Sequence, residues 1–469
     1  MTGITMLPAL AVSLFFREYR EAAGFAVCVA ATLLLAGALF LPTRTRAAVK
    51  PEHSPRVGML IVTLWWVASS VLSSLPYMVC GLAGPVDALF ESTSSFTTTG
   101  ATILGEPAAL PRGVVLWRSV TAWMGGLEIL AASFAMLPLA GTGYAFAQVE
   151  SSAGLSDRPP ARERGAVFRL CAGYAGATLL LFLLLGFASV RPFDALILAL
   201  GAVSTSGLSN AAGGAALISG AAAFPLCVFM LAAAVNFTLY RRLSARRAKL
   251  LLQDEELRFF LLIFCCAAVM IGARLLFASP PGQAAQSIGN AFFEAASALT
   301  TTGFHRADLS AWPPFCKLIL LFLMLTGGCV ASTASGMKVG RLVILFRLLR
   351  RNISVRLHPN AVLPVKFDGK AVPTDTVSAI ASYAMLCIAV FFIATAVVLF
   401  DDAGESAASV FGVLACMSNA GPCIASASAV AWAAYSGPTK LFLSFLMLLG
   451  RLEFTTVLLL FTPRYWKNE

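Results

Sequence analysis

Two stretches of the chain carry the same unusual polar pattern inside apolar surroundings. Residues 90–100 read FESTSSFTTTG and residues 293–303 read FEAASALTTTG, with seven of eleven positions identical at an offset of 203. Two weaker copies end in Ser204-Thr205-Ser206-Gly207 and Ser418-Asn419-Ala420-Gly421. Asp87-Ala88-Leu89 and Asp194-Ala195-Leu196 each begin 13 residues before their glycine. The chemistry such strands can do is cation coordination. An ion leaving water needs oxygen ligands in place of its hydration shell, and rings of backbone carbonyls supply them to potassium in channels. Aiming successive carbonyls inward demands an unusual backbone, which glycine adopts without a Cβ clash. Threonine and serine hydroxyls can satisfy the neighbouring backbone.

The candidate potassium-binding strands are therefore Thr98-Thr99-Gly100, Thr205-Ser206-Gly207, Thr301-Thr302-Gly303 and Asn419-Ala420-Gly421. No carboxylate lies in any of them, so selectivity would come from carbonyl dipoles. A single TTTG would mark only a polar helix end or turn. Four copies at corresponding places in four repeats point to a filter.

The elements that must position these strands repeat as well. Before each glycine comes a long apolar segment and then a half-length one; after it comes a polar stretch and another long apolar segment. A segment of about ten residues is too short to cross the bilayer and reads as re-entrant. Irregular backbone at membrane depth is tolerated only where protein buries it or water reaches it. The half-helices would point their partly negative C-terminal ends at the shared site, which favours a cation. The second long segments repeat in part, with Gly125-Gly126-Leu127-Glu128 matched by Gly450-Arg451-Leu452-Glu453 and, in the third copy, Gly327-Gly328.

The composition agrees with a lipid solvent. Of the 469 residues 58% are hydrophobic and 12% charged, and mean hydropathy is +0.82. Soluble domains average about 25% charged residues. Runs such as Leu179–Ala188, Phe259–Ile271, Leu318–Leu325 and Leu441–Leu449 lie in windows of about 20 residues, enough to span ~30 Å of hydrocarbon. Ten such windows are present, besides the four half-length ones. Met1–Phe16 lacks a basic leader and a small-residue cleavage site, so it reads as a membrane segment rather than a signal peptide.

The net charge of +11 collects in Arg44–Arg56, Arg158–Arg169, Arg241–Arg258, Lys338–Lys370 and the C-terminal Arg464 and Lys467, which together hold 24 of the 34 Lys and Arg. These alternate with connections poor in basic residues, such as Ala278–Gln286 and Phe400–Ser406. That is the positive-inside pattern, which makes the basic connections cytoplasmic and removes any need for nucleic acid. The eleven cysteines are scattered with no C-x-x-C, against zinc and against a disulfide framework.

The expected fold is an all-α polytopic membrane protein with four pseudo-symmetric helix–pore loop–helix repeats around one ion pore, preceded by two extra transmembrane helices. The units run 1–43 for the extra helices, then 57–146, 166–243, 256–351 and 374–463. An intramembrane enzyme is disfavoured, because His53, His305 and His358 all fall in connections and no intramembrane Asp pair is visible. A coupled organic-solute transporter would more typically use inverted repeats, whereas these repeats run parallel. No phosphate-binding loop or dinucleotide fingerprint is present, so no cofactor is expected in this chain, with K+ as the transported ion.

The chain resembles the Trk/Ktr/HKT superfamily of potassium transporters, its TrkH branch in particular. The resemblance covers nearly the whole chain. It rests on FESTSSFTTTGAT, WMGGLEIL, GGCVASTASGMKVGR at Gly327–Arg341, the LHP at Leu357–Pro359, SNAGP at Ser418–Pro422 and LGRLEFTTVLLLFTPRYW at Leu449–Trp466. It implies potassium uptake across a bacterial inner membrane, a homodimer, and control by a cytosolic nucleotide-binding ring of the RCK type. In the plant branch a serine at the first-repeat glycine goes with sodium preference, and here all four positions are glycine.

The resemblance also implies a gate. The run Gly327-Gly328-Cys329-Val330-Ala331-Ser332-Thr333-Ala334-Ser335-Gly336 would form an intramembrane loop below the filter, and its small residues lower helix propensity. The other reading is that such residues let helices pack closely. Arg451 would lie beside the pore, or else in a structural ion pair with Glu453 or Glu128. Glu128 stands where the family usually has glycine, and one hypothesis brings it to Arg451. Cys423 replaces the last glycine of a usual G-P-G, and the first helix is shorter than in relatives.

Overall fold

The computed structural model describes residues 2–44, 55–105, 107–136, 164–210, 218, 220–244, 253–278, 282–361, 363–401, 406–421 and 432–466. Pro422 and Cys423, the end of the first unit beyond residue 136, and the middles of the basic connections Arg44–Arg56 and Arg241–Arg258 lie outside them, as do His53 and Lys467.

The helices, in chain order, begin with α1 (Thr2–Thr5), α2 (Leu7–Phe15) and α3 (Tyr19–Arg44). Four units follow. The first is α4 (Pro55–Val79), α5 (Pro85–Phe96) and α6 (Arg112–Met136). The second is α7 (Arg164–Phe187), α8 (Pro192–Val203), α9 (Gly220–Ala233) and α10 (Phe237–Ser244). The third is α11 (Glu255–Ala278), α12 (Ala284–Leu299), α13 (Pro314–Thr326) and α14 (Val339–Leu357). A short antiparallel hairpin, β1 (Lys366–Phe367) with β2 (Lys370–Ala371), leads into the fourth: α15 (Thr374–Phe400), α16 (Ser406–Ser418), α17 (Gly437–Leu452) and α18 (Phe454–Leu459).

The first helix of every unit is continuous and faces lipid. Among the described residues, six helices are long and apolar enough to cross a membrane: α3, α4, α6, α7, α11 and α15. Phe187, Phe277 and Phe400 stand exposed at the same end of α7, α11 and α15, as expected where the solvent is hydrocarbon or its interface. The sequence reading of ten spanning windows is corrected here. The first window is the short Thr2–Phe15 segment, and three of the four second helices are interrupted. Hydropathy averages over a window and does not register a break within it.

The short helices α5, α8, α12 and α16 are the expected re-entrant elements. Pro85 and Pro192 open α5 and α8, where a missing N–H costs nothing, and Asp87 and Asp194 add a carboxylate in the first turn. Each second helix packs against its own re-entrant helix and against that of the next unit: α6 on α5 and α8, α9 on α8 and α12, α13 on α12 and α16, and α17 on α16 and α5. The last contact closes the ring.

Candidate ion filter and gate

The four re-entrant helices all end the same way. The residue two before each glycine has positive φ: Thr98 at 59°, Thr205 at 55°, Thr301 at 53° and Asn419 at 45°. The amide of the following residue reaches back five positions in every copy: Thr99 to Ser94 O at 2.8 Å, Ser206 to Gly201 O at 2.9 Å, Thr302 to Ser297 O at 2.9 Å and Ala420 to Ala415 O at 3.0 Å. This is the Schellman termination, which ordinarily uses glycine at the left-handed position. A β-branched threonine there is strained, at a cost of about 1–3 kcal/mol, so the surroundings must hold it. They do so through the hydroxyl just before it, where Thr97, Ser204, Thr300 and Ser418 each donate to the carbonyl four residues back, at 2.6–2.8 Å. In the first three copies that hydroxyl also bonds the one two residues on, Thr97 with Thr99, Ser204 with Ser206 and Thr300 with Thr302. The fourth copy has Ala420 instead, and Asn419 reaches across to Thr99 Oγ1 at 3.0 Å.

The strands then meet backbone to backbone. A Cβ placed on Gly100 would fall 2.1 Å from Ser206 O, on Gly207 2.1 Å from Thr302 O, on Gly303 2.2 Å from the Gly421 Cα, and on Gly421 2.7 Å from the Gly303 Cα. Gly100 and Gly421 are also neighbours, at 3.7 Å by the same measure. The four strands named in the sequence analysis thus meet at their glycines. Nearly all of their residues are fully buried.

Two buried carboxylates brace this ring from behind. Glu91 accepts from Thr102 Oγ1 and from the amide of Ile103 at 3.0 Å, and pairs with Arg118 Nε at 2.7 Å. Glu294 accepts from the amides of Arg306 at 2.6 Å and Ala307 at 3.3 Å, and bonds His305 Nδ1 at 3.0 Å. Each therefore grips the strand leaving its glycine. Leu198 and Gly412 hold this place in the other copies. In the second copy Asp194 bonds Asn210 at 2.8 Å instead. At the C-terminal end of α15, hydrogen bonding from Ser436, whose amide donates at 2.8 Å, holds the Asp401 carboxyl below its usual range.

Below the ring, Gly327–Gly336 is not helical. The loop closes on itself, since a Cβ on Gly327 (φ 73°) would lie 2.0 Å from Ser335 O and one on Gly336 (φ 85°) 2.8 Å from the Gly327 Cα. That answers the choice between loop and tightly packed helix. One side of the loop docks on the break between α9 and α10: Cys329 N donates to Ala234 O at 2.8 Å, Phe237 N to Ala331 O at 3.1 Å, and Thr333 Oγ1 to Ala233 O at 2.9 Å. Ser332 Oγ bonds Cys329 O within the loop at 2.6 Å. The other side meets Arg451, whose Nη1 donates to Thr333 O and Ser335 Oγ, both at 2.8 Å. At its top, Ser335 N donates to Thr301 Oγ1 at 3.0 Å, which joins the loop directly to a filter strand.

Comparison with known proteins decides the family. Residues 25–468 match the family model TrkH, cation transport protein. The chain belongs to the TrkH family. It is 32% identical over 474 residues to the Trk system potassium uptake protein TrkH of Halomonas elongata, covering 100% of this chain and 97% of that one. It is 30% identical over 481 residues to the Escherichia coli protein of the same name, covering 100% and 96%. The crystal structure of the potassium transporter TrkH from Vibrio parahaemolyticus superposes with a TM-score of 0.90 at 28% identity, covering 99% of this chain and 96% of that one. TrkH membership places the chain among membrane transport proteins rather than enzymes.

Two expectations for Arg451 and Glu128 are corrected. Glu453 pairs with Arg341, not Arg451. Glu128 accepts from Trp65 Nε1 at 2.9 Å and lines a small cavity with Thr5, Ser73 and Thr121, away from the loop. One turn earlier on the same helix Gly125 sits on Phe96 O, as Gly450 sits on Met417 O, so the first glycine of the shared G-x-L-E pattern seats the end of a re-entrant helix. Sequence reasoning passed over Glu91 and Glu294, although a glutamate kept in both copies of an otherwise small and apolar helix was the available signal.

Proposed function

We propose that this chain carries potassium into the cell through the ring of four glycine strands, and that the loop Gly327–Gly336 with Arg451 gates it. One observation carries the reading. Four separated segments end in the same strained turn and bring their glycines into backbone contact around one axis. Such a construction serves a symmetric set of carbonyl ligands, and potassium is the ion that such rings accept. The relatives' names as potassium uptake proteins support the choice of ion.

The units 57–146, 166–243, 256–351 and 374–463 are on this reading the four quarters of one pore. Gly328 and Thr333 hold the loop against the break between α9 and α10, Ser332 ties the loop to itself, and Arg451 places a positive charge on the ion path. The basic connections face the cytosol of a bacterial inner membrane, the chain works as a homodimer, and an RCK-type nucleotide-binding subunit acts on the cytosolic face.

The test is growth and Rb+ uptake in a bacterium stripped of its own potassium uptake systems, with a regulatory subunit co-expressed. The wild type rescues growth at low potassium, whereas Gly100→Ser and Gly303→Ser lose rescue or turn toward sodium. Well-expressed wild-type protein that takes up no Rb+ would overturn the reading.

A further inference from the structure

One carboxylate holds both the loop below the filter and the helix that follows it. Glu256 is buried in the first turn of α11, and its Oε1 accepts from the amide of Val330 at 3.0 Å and from the amide of Gly340 at 3.0 Å. Val330 lies inside the loop, and Gly340 lies in the first turn of α14, directly after it. The carboxylate thus sits at the positive end of α14 as well as on irregular backbone.

Its neighbour Glu255 reaches outward. It forms a two-pronged ion pair with Arg347 of α14 and accepts from Asp368 N at 2.7 Å, while Asp368 Oδ1 takes the Glu255 amide at 3.0 Å. Asp368 is the turn of the β1–β2 hairpin. Two adjacent carboxylates therefore tie the loop, α14 and the hairpin to one fixed helix end.

A buried carboxylate is tolerable only while its hydrogen bonds are made, and charge-assisted bonds are the strong ones. Shifting α14 away from α11 would take Gly340 from Glu256 and leave a buried acceptor short of a donor. We propose that Glu256 is a positioning residue that latches the loop beneath the filter and passes any displacement of α14 and its hairpin to the loop. This rests on the reading of Gly327–Gly336 as the gate.

The test is 86Rb+ flux into proteoliposomes holding the chain alone, comparing wild type, Glu256→Ala, Glu256→Gln and Arg451→Ala. The parallel readout is modification of Cys329 by a small charged thiol reagent, in a chain whose other cysteines are serine. Cys329 is buried in the loop. Losing two charge-assisted bonds shifts the loop equilibrium by at least about tenfold. Glu256→Ala therefore raises flux and Cys329 labelling by about that factor, and Glu256→Gln, which keeps an acceptor oxygen, raises both by less. A purely structural role would lower flux instead. If Glu256→Ala does not assemble, Glu256→Gln carries the comparison, with increased labelling required.

Flux and labelling unchanged in the Glu256 variants while Arg451→Ala raises flux would overturn the latch and keep the gate. No rise in any variant would overturn both.

Discussion

The filter ring and the layer just beneath it are built on opposite principles. In the ring, four segments of different sequence converge on the same turn: left-handed residue, one more, then glycine. In the layer beneath, the four second helices differ. α6 runs unbroken, α9 gives way to α10 at Ala234–Asn236, α13 opens into the ten-residue loop Gly327–Gly336, and α17 gives way to α18 at Glu453 with φ 68°. On the proposed filter reading, coordination by carbonyls requires equivalent ligands around the axis, and the ring is built four-fold. On the proposed gate reading, a single obstruction needs one moving part and several different supports, and the repeat is abandoned there.

The comparison is broken most severely by giving a ring glycine a side chain. Gly303→Ser would drive a Cβ into the Gly421 backbone at a residue with φ 83°. The strain alone is about 1–3 kcal/mol, before the collision. Rb+ uptake should fall at least about a hundredfold, with normal insertion checked by protein yield.

Next in size is the brace. Arg118 and Glu91 are buried and paired, and removing one partner of such a pair costs about 3–5 kcal/mol. Glu91→Gln should lower the thermal midpoint of the purified protein markedly more than Asp194→Asn, whose carboxylate bonds Asn210 among the described residues.

In the layer beneath, the sign reverses. Arg451→Ala removes the bonds to Thr333 O and Ser335 Oγ, and flux through proteoliposomes should rise, by about tenfold, rather than fall. The smallest effect belongs to the hydroxyl pairs. Ser206→Ala gives the second strand the alanine that the fourth already has at Ala420, at a cost of about 1 kcal/mol, and uptake should stay within about twofold.

How much of this the residues announced depends on which layer is considered. The ring was legible because its demands fall on residue type. Glycine, threonine and serine recur at one spacing, and the offset of 203 between two nearly identical copies ties them together. The strained threonines were not legible, because propensity argues against Thr98, Thr205 and Thr301 in a left-handed conformation, and only Asn419 is a residue that adopts it readily. The loop Gly327–Gly336 was legible by composition and family. The breaks at Ala234–Asn236 and Glu453 were not, since each occupies one to three residues in an apolar run and is satisfied by partners distant in sequence: Ala234 O by Cys329 N, and Glu453 by Arg341. Glu256 was invisible for the same reason, because its partners lie 74 and 84 residues away.

The most direct test of the central claim is the reversal potential of the purified protein in a planar bilayer with potassium on one side and sodium on the other, recorded with Arg451→Ala to keep the path open. A ring of four glycine strands predicts a potential set by potassium in that background, shifting toward zero when Gly100→Ser is added. A potential near zero with all four glycines intact, or one that Gly100→Ser leaves unchanged, would contradict it.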